Sequence, residues 1–364
     1  MKRTWRAVAL LSVLILALAA CGKKSTPTGA ASSGGGSPSA LPGAGKVVCE
    51  VSDSGGFDDK SFNQTAHKGV EEAQTDLGIT SKFLESNSDA DYTPNIQACL
   101  QQNADLTVTV GFLLGDATQA AATANPSSNF TIVDFAYDPP VANIEGLTFQ
   151  TDQAAFLAGY LAAGMTQSGK IGTFGGINIP TVTIFMNGMA AGILKYNQDN
   201  GTSVQLLGWD PVKQDGTFTG DFTNKDNGKR VAEDLISEGA DIILPVAGPV
   251  GLGAAAAAQD AGNVSMIWVD VDGCTSAPEL CSLFLTTIEK HIDVAVHDVI
   301  KAVVGGTFKG GSNYSGTLEN NGVGIAPFHD FDSKVPADLK SKLDELKAGI
   351  MDGSISVDPK DYQG

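Results

Sequence analysis

The run GADIILPVAGPVGLGAAAAAQDAGNVSMIWVDVDGC, residues 239–274, decides the fold. Ile242–Leu244 and Ser265–Val269 are short, apolar and rich in β-branched residues, and Gly, Asp and Asn bound them, which is the signature of strands. Between them Gly251-x-Gly253 opens an alanine-rich stretch, and alanine is the strongest helix former. A strand, a glycine turn, a helix and a second strand make one βαβ unit, whose right-handed crossover lays the two strands parallel.

The same alternation extends outward in both directions. Val47–Val51, Lys82–Leu84, Leu106–Val110, Thr131–Phe135, Leu147–Phe149, Ile171–Phe174, Val204–Gly208 and Leu283–Thr286 also read as strands. Helical stripes separate or follow them: Ala66, Val70, Ala73 and Leu77; Ile292, Val296, Val299 and Val303; Leu339, Leu343, Leu346 and Ile350. The expectation is an α/β chain with parallel sheets covered on both faces. At 364 residues it exceeds one ordinary core, so two lobes are expected.

Ligands of open parallel sheets sit beyond the carboxyl ends of the strands. Asp53 to Phe57, Asp134 with Phe135, Gly175-Gly176, Gly248 to Gly253 and Asp270 to Gly273 all follow strands. In SGGFDDKSFNQ, 54–64, two glycines allow close backbone approach, Phe57 or Phe62 offers a π-face, and Asp58 and Asp59 supply carboxylates. Read alone, that segment is an Asp-capped helix with a buried Phe62. Gly251-x-Gly253 with Asp270 beyond it is similar to a dinucleotide fingerprint, but the unit comes late in a chain marked for export, where NAD is scarce. Its glycines are read as letting helix N–H groups meet a ligand hydroxyl or carbonyl, or as a tight turn with a closely packed helix.

Several function classes fall away. Twenty-three basic against 41 acidic residues, a net charge of −18, offer no face for nucleic acid. The four histidines show no metal-ligand spacing, and Asp270, Asp272 and Gly273 lack the rest of a calcium loop. No nucleophile motif appears, so the chain is read as a binding protein without cofactor or metal, and not as an enzyme.

The amino end sets the compartment. Lys2, Arg3 and Arg6 precede an apolar run, Ala7 to Ala20, too short to span a bilayer, so 1–20 read as a signal peptide. Leu18-Ala19-Ala20-Cys21 resembles a lipobox, making Cys21 the lipidated first residue of the mature chain. Residues 21–45 then form a Gly/Ser/Pro-rich tether holding the protein at the outer face of the bacterial cytoplasmic membrane. Four cysteines remain, and in an exported protein they suggest disulfides, Cys274 with Cys281 and Cys49 with Cys99 being favoured over buried thiols.

Segment 58–64, Asn143 with Phe149, FLAGY at 156–160, KIGTFGG at 170–176, Phe185 with Gly188 and Gly192, GADII at 239–243, AGPVGLG at 247–253, and Thr286-Thr287 before Lys290 together resemble the BMP family. These are purine-nucleoside receptor lipoproteins of ABC importers, and the resemblance spans 46–364. It implies a type I periplasmic-binding-protein fold: two Rossmann-like lobes joined by a three-crossing hinge, with lobe 1 formed by 46–148 and about 271–325, lobe 2 by 149–270, and 326–364 unassigned. It further implies that Phe62 or Phe57 and Phe185 sandwich the base, Asn63 and Asp134 bond its edge, and Asp270 and Lys290, with backbone at Gly248, hold the ribose. Phe218 or Phe222 also lines the site. Where the family has Gly-x-Asp-x-Asp-Gln, this chain has Trp268-x-Asp270-x-Asp272-Gly273, which leaves the preferred base open. The implied partners are a nucleoside, a membrane permease and its ATPase, the receptor being a monomer. The alternatives are a simple-sugar or signal-molecule receptor on the same scaffold, or a sensor lipoprotein presenting its ligand to a signalling partner.

Overall fold

The computed structural model describes residues 40–362. Signal peptide, lipobox and most of the tether lie outside the described residues. The chain runs β1 (Val47–Ser52), α1 (Phe62–Leu77), β2 (Thr80–Leu84), α2 (Asp89–Gln101), β3 (Leu106–Val110), α3 (Gly115–Ala124), β4 (Phe130–Val133) and β5 (Ile144–Phe149). It continues through α4 (Thr151–Met165), β6 (Lys170–Gly175), α5 (Pro180–Asn200), β7 (Gln205–Leu207), the hairpin β8 (Trp209–Asp210) and β9 (Asp215–Gly216), α6 (Lys225–Ser237), β10 (Ile242–Val246), α7 (Gly251–Ala261) and β11 (Ser265–Asp270). The last third holds α8 (Gly273–Ser276), β12 (Phe284–Lys290), α9 (Ile292–Val304), β13 (Ser312–Gly316), β14 (Val323–Ile325) and α10 (Ala337–Met351).

Two six-stranded sheets result, ordered β13-β5-β4-β3-β1-β2 and β14-β12-β11-β10-β6-β7. Every pairing in the first is parallel, and in the second only β12 with β14 is antiparallel. Each sheet reverses its strand order at one point, between β1 and β3 and between β6 and β10. At such a point the neighbouring crossovers go to opposite faces and leave a crevice.

The three apolar stripes bury as their spacing requires: Ala66, Val70, Ala73 and Leu77 on α1, Ile292, Val296, Val299 and Val303 on α9, and Leu339, Leu343, Leu346 and Ile350 on α10. Helices α4 and α5 approach so closely that a Cβ on Gly192 would lie 2.0 Å from the Phe156 carbonyl oxygen, and one on Gly159 would lie 2.3 Å from that of Met189. Those glycines of the family pattern are packing residues.

The boundaries differ from expectation in three places. Residues 271–290 stay in the second lobe, because β12 pairs in parallel with β11, and the chain returns to the first sheet only after Lys290. Residues from Val323 onward belong to the second lobe too, since β14 pairs with β12 and α10 packs on α4. The end of the expected tether is already docked: Gly43 is buried and donates its N–H to the Leu77 carbonyl at 2.7 Å.

The lobes are joined by three crossings, at 150, at 291 and across 317–322. They bond to one another. Gln150 N–H donates to the Gly316 carbonyl (2.8 Å), His291 N–H to that of Gly322 (3.0 Å), and Leu318 N–H to Gln153 Oε1 (2.8 Å).

Disulfides join Cys49 of β1 to Cys99 of α2 and Cys274 of α8 to Cys281. Their sequence separations are 50 and 7 residues, so chain-entropy arguments assign about 4 kcal/mol to the first and about 2 kcal/mol to the second. Urea unfolding of the two double Cys→Ala variants is expected to show the larger loss for the 49–99 pair; equal losses would contradict the assignment.

Candidate functional site

A cleft, partly continuous with solvent, lies between the lobes where the two reversal points face each other. The first lobe contributes Asp53 after β1, Asp59, Phe62 and Asn63 at the start of α1, Gly111 and Phe112 after β3, and Asp134 after β4. The second contributes Ile179 to Val182 and Phe185 of the α5 entry, Phe222, Val246 to Pro249 after β10, Asp270 after β11, and Lys290 at the end of β12.

Side-chain hydrogen bonds close the lobes on each other. Lys290 Nζ donates to Asp134 Oδ2 at 2.6 Å, with the two residues only 2% and 7% exposed. Ser61 Oγ donates to Asp270 Oδ2 at 2.6 Å. The Trp268 indole N–H donates to the Lys60 carbonyl at 3.1 Å.

The Lys290 ammonium also lies 4.8, 5.4 and 5.6 Å from the ring centres of Phe62, Phe149 and Phe185. Ring faces are electronegative and favour a nearby cation. Lys290 is the one cation lining the cleft among the described residues, against the carboxylates of Asp53, Asp59, Asp134 and Asp270.

Asp59 holds the start of α1. Its Oδ1 accepts from the N–H groups of Ser61 (2.9 Å) and Gln64 (3.0 Å), and its Oδ2 from that of Asn63 (2.9 Å). The capping half of that reading holds, with Asp59 as the cap, whereas Phe62 is only half-buried and lines the cleft. Asn63 Nδ2 donates to Asp53 Oδ1 at 2.9 Å, while Asn63 Oδ1 is buried with no protein partner. That acceptor is free for a ligand donor.

Burial pushes all four carboxyls up. Asp53 rises to about 8 and Asp59 to about 6. Asp134 and Asp270 are raised as well, burial outweighing the pull of Lys290 on each and of the Ser61 hydroxyl on Asp270.

Of the residues singled out from the sequence, Phe62, Asn63, Asp134, Phe185, Phe222, Gly248, Asp270 and Lys290 meet in this cleft. Phe57 and Asp58 do not. Phe57 stacks on His67 with ring centres 4.5 Å apart, and Asp58 is exposed and pairs with Lys60. They sit on the outer turn of the loop, whose inner side Asp59 pins to α1. Phe218 also lies outside the wall, edge-on to Trp209, and leaves Phe222 as the aromatic contributed by its segment. The ammonium expected beside Asp270 instead bonds Asp134. Asn143 is structural, its amide donating to the carbonyls of Ala122, Asn125 and Ser128. Gly248 has φ +52° and nothing within 4 Å of a built Cβ, so its backbone faces open cleft. Asp53, Phe112 and Thr181 are further residues of the site; the strand-end rule pointed to Asp53, and the same rule applied after β3 reaches Phe112.

The Asp53 carboxyl generates a pH prediction. Between about pH 4 and 8 the folded chain keeps a proton there that the unfolded chain has released, so stability falls as pH rises through that window. One such proton contributes at most about 1.4 kcal/mol per pH unit. Asp53→Asn keeps an oxygen acceptor for Asn63 and removes the proton. Urea midpoints from pH 5 to 8 are expected to decline less steeply in the variant than in the parent; parallel curves would contradict the assignment.

The family model described as "ABC transporter substrate-binding protein PnrA-like" matches residues 46–360. The ABC transporter nucleoside-binding protein BmpA of Lactococcus lactis subsp. cremoris is 31% identical over 85% of this chain and 88% of its own. Basic membrane protein A of Borreliella burgdorferi is 31% identical over 83% and 85%. An ABC transporter solute-binding protein from Aeropyrum pernix K1 superposes with a TM-score of 0.77 at 26% identity, covering 85% of this chain and 92% of that one. Fold, cleft and family match agree, and the chain belongs to the Bmp family of PnrA-like ABC transporter substrate-binding proteins.

Proposed function

We propose that this substrate-binding protein captures a purine nucleoside between its lobes outside the cytoplasmic membrane, where a lipid on Cys21 anchors it, and delivers the nucleoside to the permease of an ABC importer. One observation carries the reading: a closed interlobe cleft combines phenyl rings at Phe62, Phe185 and Phe222 with acceptor carboxylates at Asp134 and Asp270 and the carboxyl group of Asp53. A flat heterocycle suits the rings, and its N–H groups and the hydroxyls of a pentose suit the acids. The nucleoside-binding name of the Lactococcus relative supports the same ligand class.

In this reading the base lies among the rings with Asn63 and Asp134 at its edge, and Asp270 and the Gly248 backbone hold the ribose. Asp270 then exchanges its Ser61 hydroxyl for ligand hydroxyls or accepts from both. The surplus of carboxylates selects the unphosphorylated compound, because a phosphate entering beside four acids and one lysine loses hydration without gaining matching cations.

Calorimetry with adenosine, guanosine, inosine, cytidine, ribose and GMP tests this. Purine nucleosides are expected to bind, with ribose and GMP at least about tenfold weaker, in line with one or more lost hydrogen bonds or an unpaired charge. Preference for ribose over every nucleoside would favour the sugar-receptor alternative. Phe62→Leu, which keeps an apolar side chain, is expected to weaken nucleoside binding by about 1–3 kcal/mol through lost stacking. Asp270→Ala is expected to weaken nucleosides while leaving the free base unaffected, and equal losses for both would remove Asp270 from the ribose.

A further inference from the structure

Behind the Lys290–Asp134 pair, beside the first crossing, lies a second chamber, also partly continuous with solvent. Thr148 and Phe149 of β5, Thr151 of α4, and Pro180, Thr181 and Ile184 of α5 form its walls. Asp134, Thr181 and Lys290 border both this chamber and the cleft, so the ion pair forms part of the partition between them.

The Thr151 side chain marks the chamber as a place for a polar group. Thr151 is 1% exposed, and its hydroxyl has no protein partner, whereas the neighbouring Thr148 hydroxyl donates to the Tyr314 carbonyl at 2.8 Å. A buried hydroxyl without a partner is destabilising, and a ligand or water that bonds it recovers the loss. Of the three Lys290 N–H bonds, one goes to Asp134, and the described residues supply no second acceptor. The chamber thus offers a hydroxyl and spare ammonium N–H groups beside an apolar wall of Phe149 and Ile184. Its one carboxylate is matched by its one ammonium. A neutral hydrogen-bonding group fits that balance, and a phosphate, next to the further acids of the cleft, does not.

We propose that this chamber is a second subsite which receives a neutral hydroxyl- or amino-bearing substituent projecting from the base past Asp134, so that the receptor takes base-substituted nucleosides as well as plain ones. The proposal rests on the nucleoside reading above. Its geometry is specific: Thr151 bonds the tip of the substituent, and Ile184 bounds the space it fills.

Calorimetry on the purified protein with two matched pairs tests it: adenosine against N6-(2-hydroxyethyl)adenosine, and guanosine against N2-(2-hydroxyethyl)guanosine. In at least one pair the substituted nucleoside is expected to bind within about threefold of the plain one or tighter. Thr151→Val, which keeps the shape and removes the hydroxyl, is expected to weaken only the substituted compound, by roughly tenfold, the scale of one buried hydrogen bond. Ile184→Phe fills the chamber and is expected to exclude the substituted compound while plain nucleoside still binds; thermal melts verify that both variants fold. Rejection of both substituted compounds by more than tenfold while plain nucleosides bind, or equal losses for plain and substituted ligands in Thr151→Val, would overturn the subsite alone. Failure of every nucleoside to bind would overturn the nucleoside reading and the subsite with it.

Discussion

Lys290 and Asp134 belong to different lobes, and the arrangement of the site depends on their meeting out of water. Withdrawing two ions from solvent costs several kcal/mol each, and their attraction repays this only in good geometry with further hydrogen bonds. Here the carboxylate has one 2.6 Å bond and the ammonium three aromatic faces. The net contribution of such a pair to closure is therefore small. Its effect on geometry is large, because a misplaced lobe leaves one or both charges buried alone, which is far worse than leaving them hydrated. The pair fixes where the lobes sit, and Phe62, Phe149 and Phe185 are placed by what surrounds the ammonium.

Backbone conformation points to the same positions. Asp134 and Asp270 have φ +65° and +70°, a region that side-chain-bearing residues enter at a cost, and each stands immediately beyond or at the end of a strand. A cost of this kind persists where the surroundings over-determine the conformation, and it gathers at functional sites. The turn in the chain lets the carboxylate leave the sheet and reach into the cleft. Gly248 makes the corresponding turn after β10 without a side chain, so that its backbone borders the cleft while its carbonyl accepts from the Gly251 N–H.

Much of this was legible in the residue order because it is local. The βαβ pattern at 239–274 and the buried stripes depend on periodicity, and the strand-end rule gathers Asp53, Asp134, Gly248 and Asp270 without knowledge of the lobes. What was not legible is relational. Lys290 ends β12 and lies in electrostatic reach of both Asp134 and Asp270; which carboxylate it bonds depends on how the second lobe meets the first. Phe57 and Phe62 are equivalent by composition, and only the direction of the Asp59-capped helix separates them. The return crossing comes later than the expected 271 because β12 lies beyond the 274–281 disulfide loop and still pairs with β11, so that loop is an excursion within one lobe. β13 and β14 were missed because Ser312–Gly316 is mostly small and polar and Val323–Ile325 is only three residues long, and both pair at sheet edges.

The crossings show how the lobes can separate without loss of either core. Each sheet is complete within its own lobe, and the segments between them are short: residues around 150, around 291, and 317–322. A Cβ on Gly322 would lie 2.2 Å from Gly316 Cα, so the third segment folds back on itself in contact that only glycine permits. Because the crossings donate hydrogen bonds to one another, a rotation that opens the cleft has to carry them together, with the φ/ψ change absorbed by a few residues between elements. The hydrogen bonds broken on opening are then those at the cleft, and they involve groups that water can serve once they are exposed. A ligand shifts this balance only through contacts that it makes in the closed form and not in the open one. Phe62 and Asn63 on one lobe and Phe185 and Gly248 on the other supply such contacts, because neither half alone surrounds a flat ring.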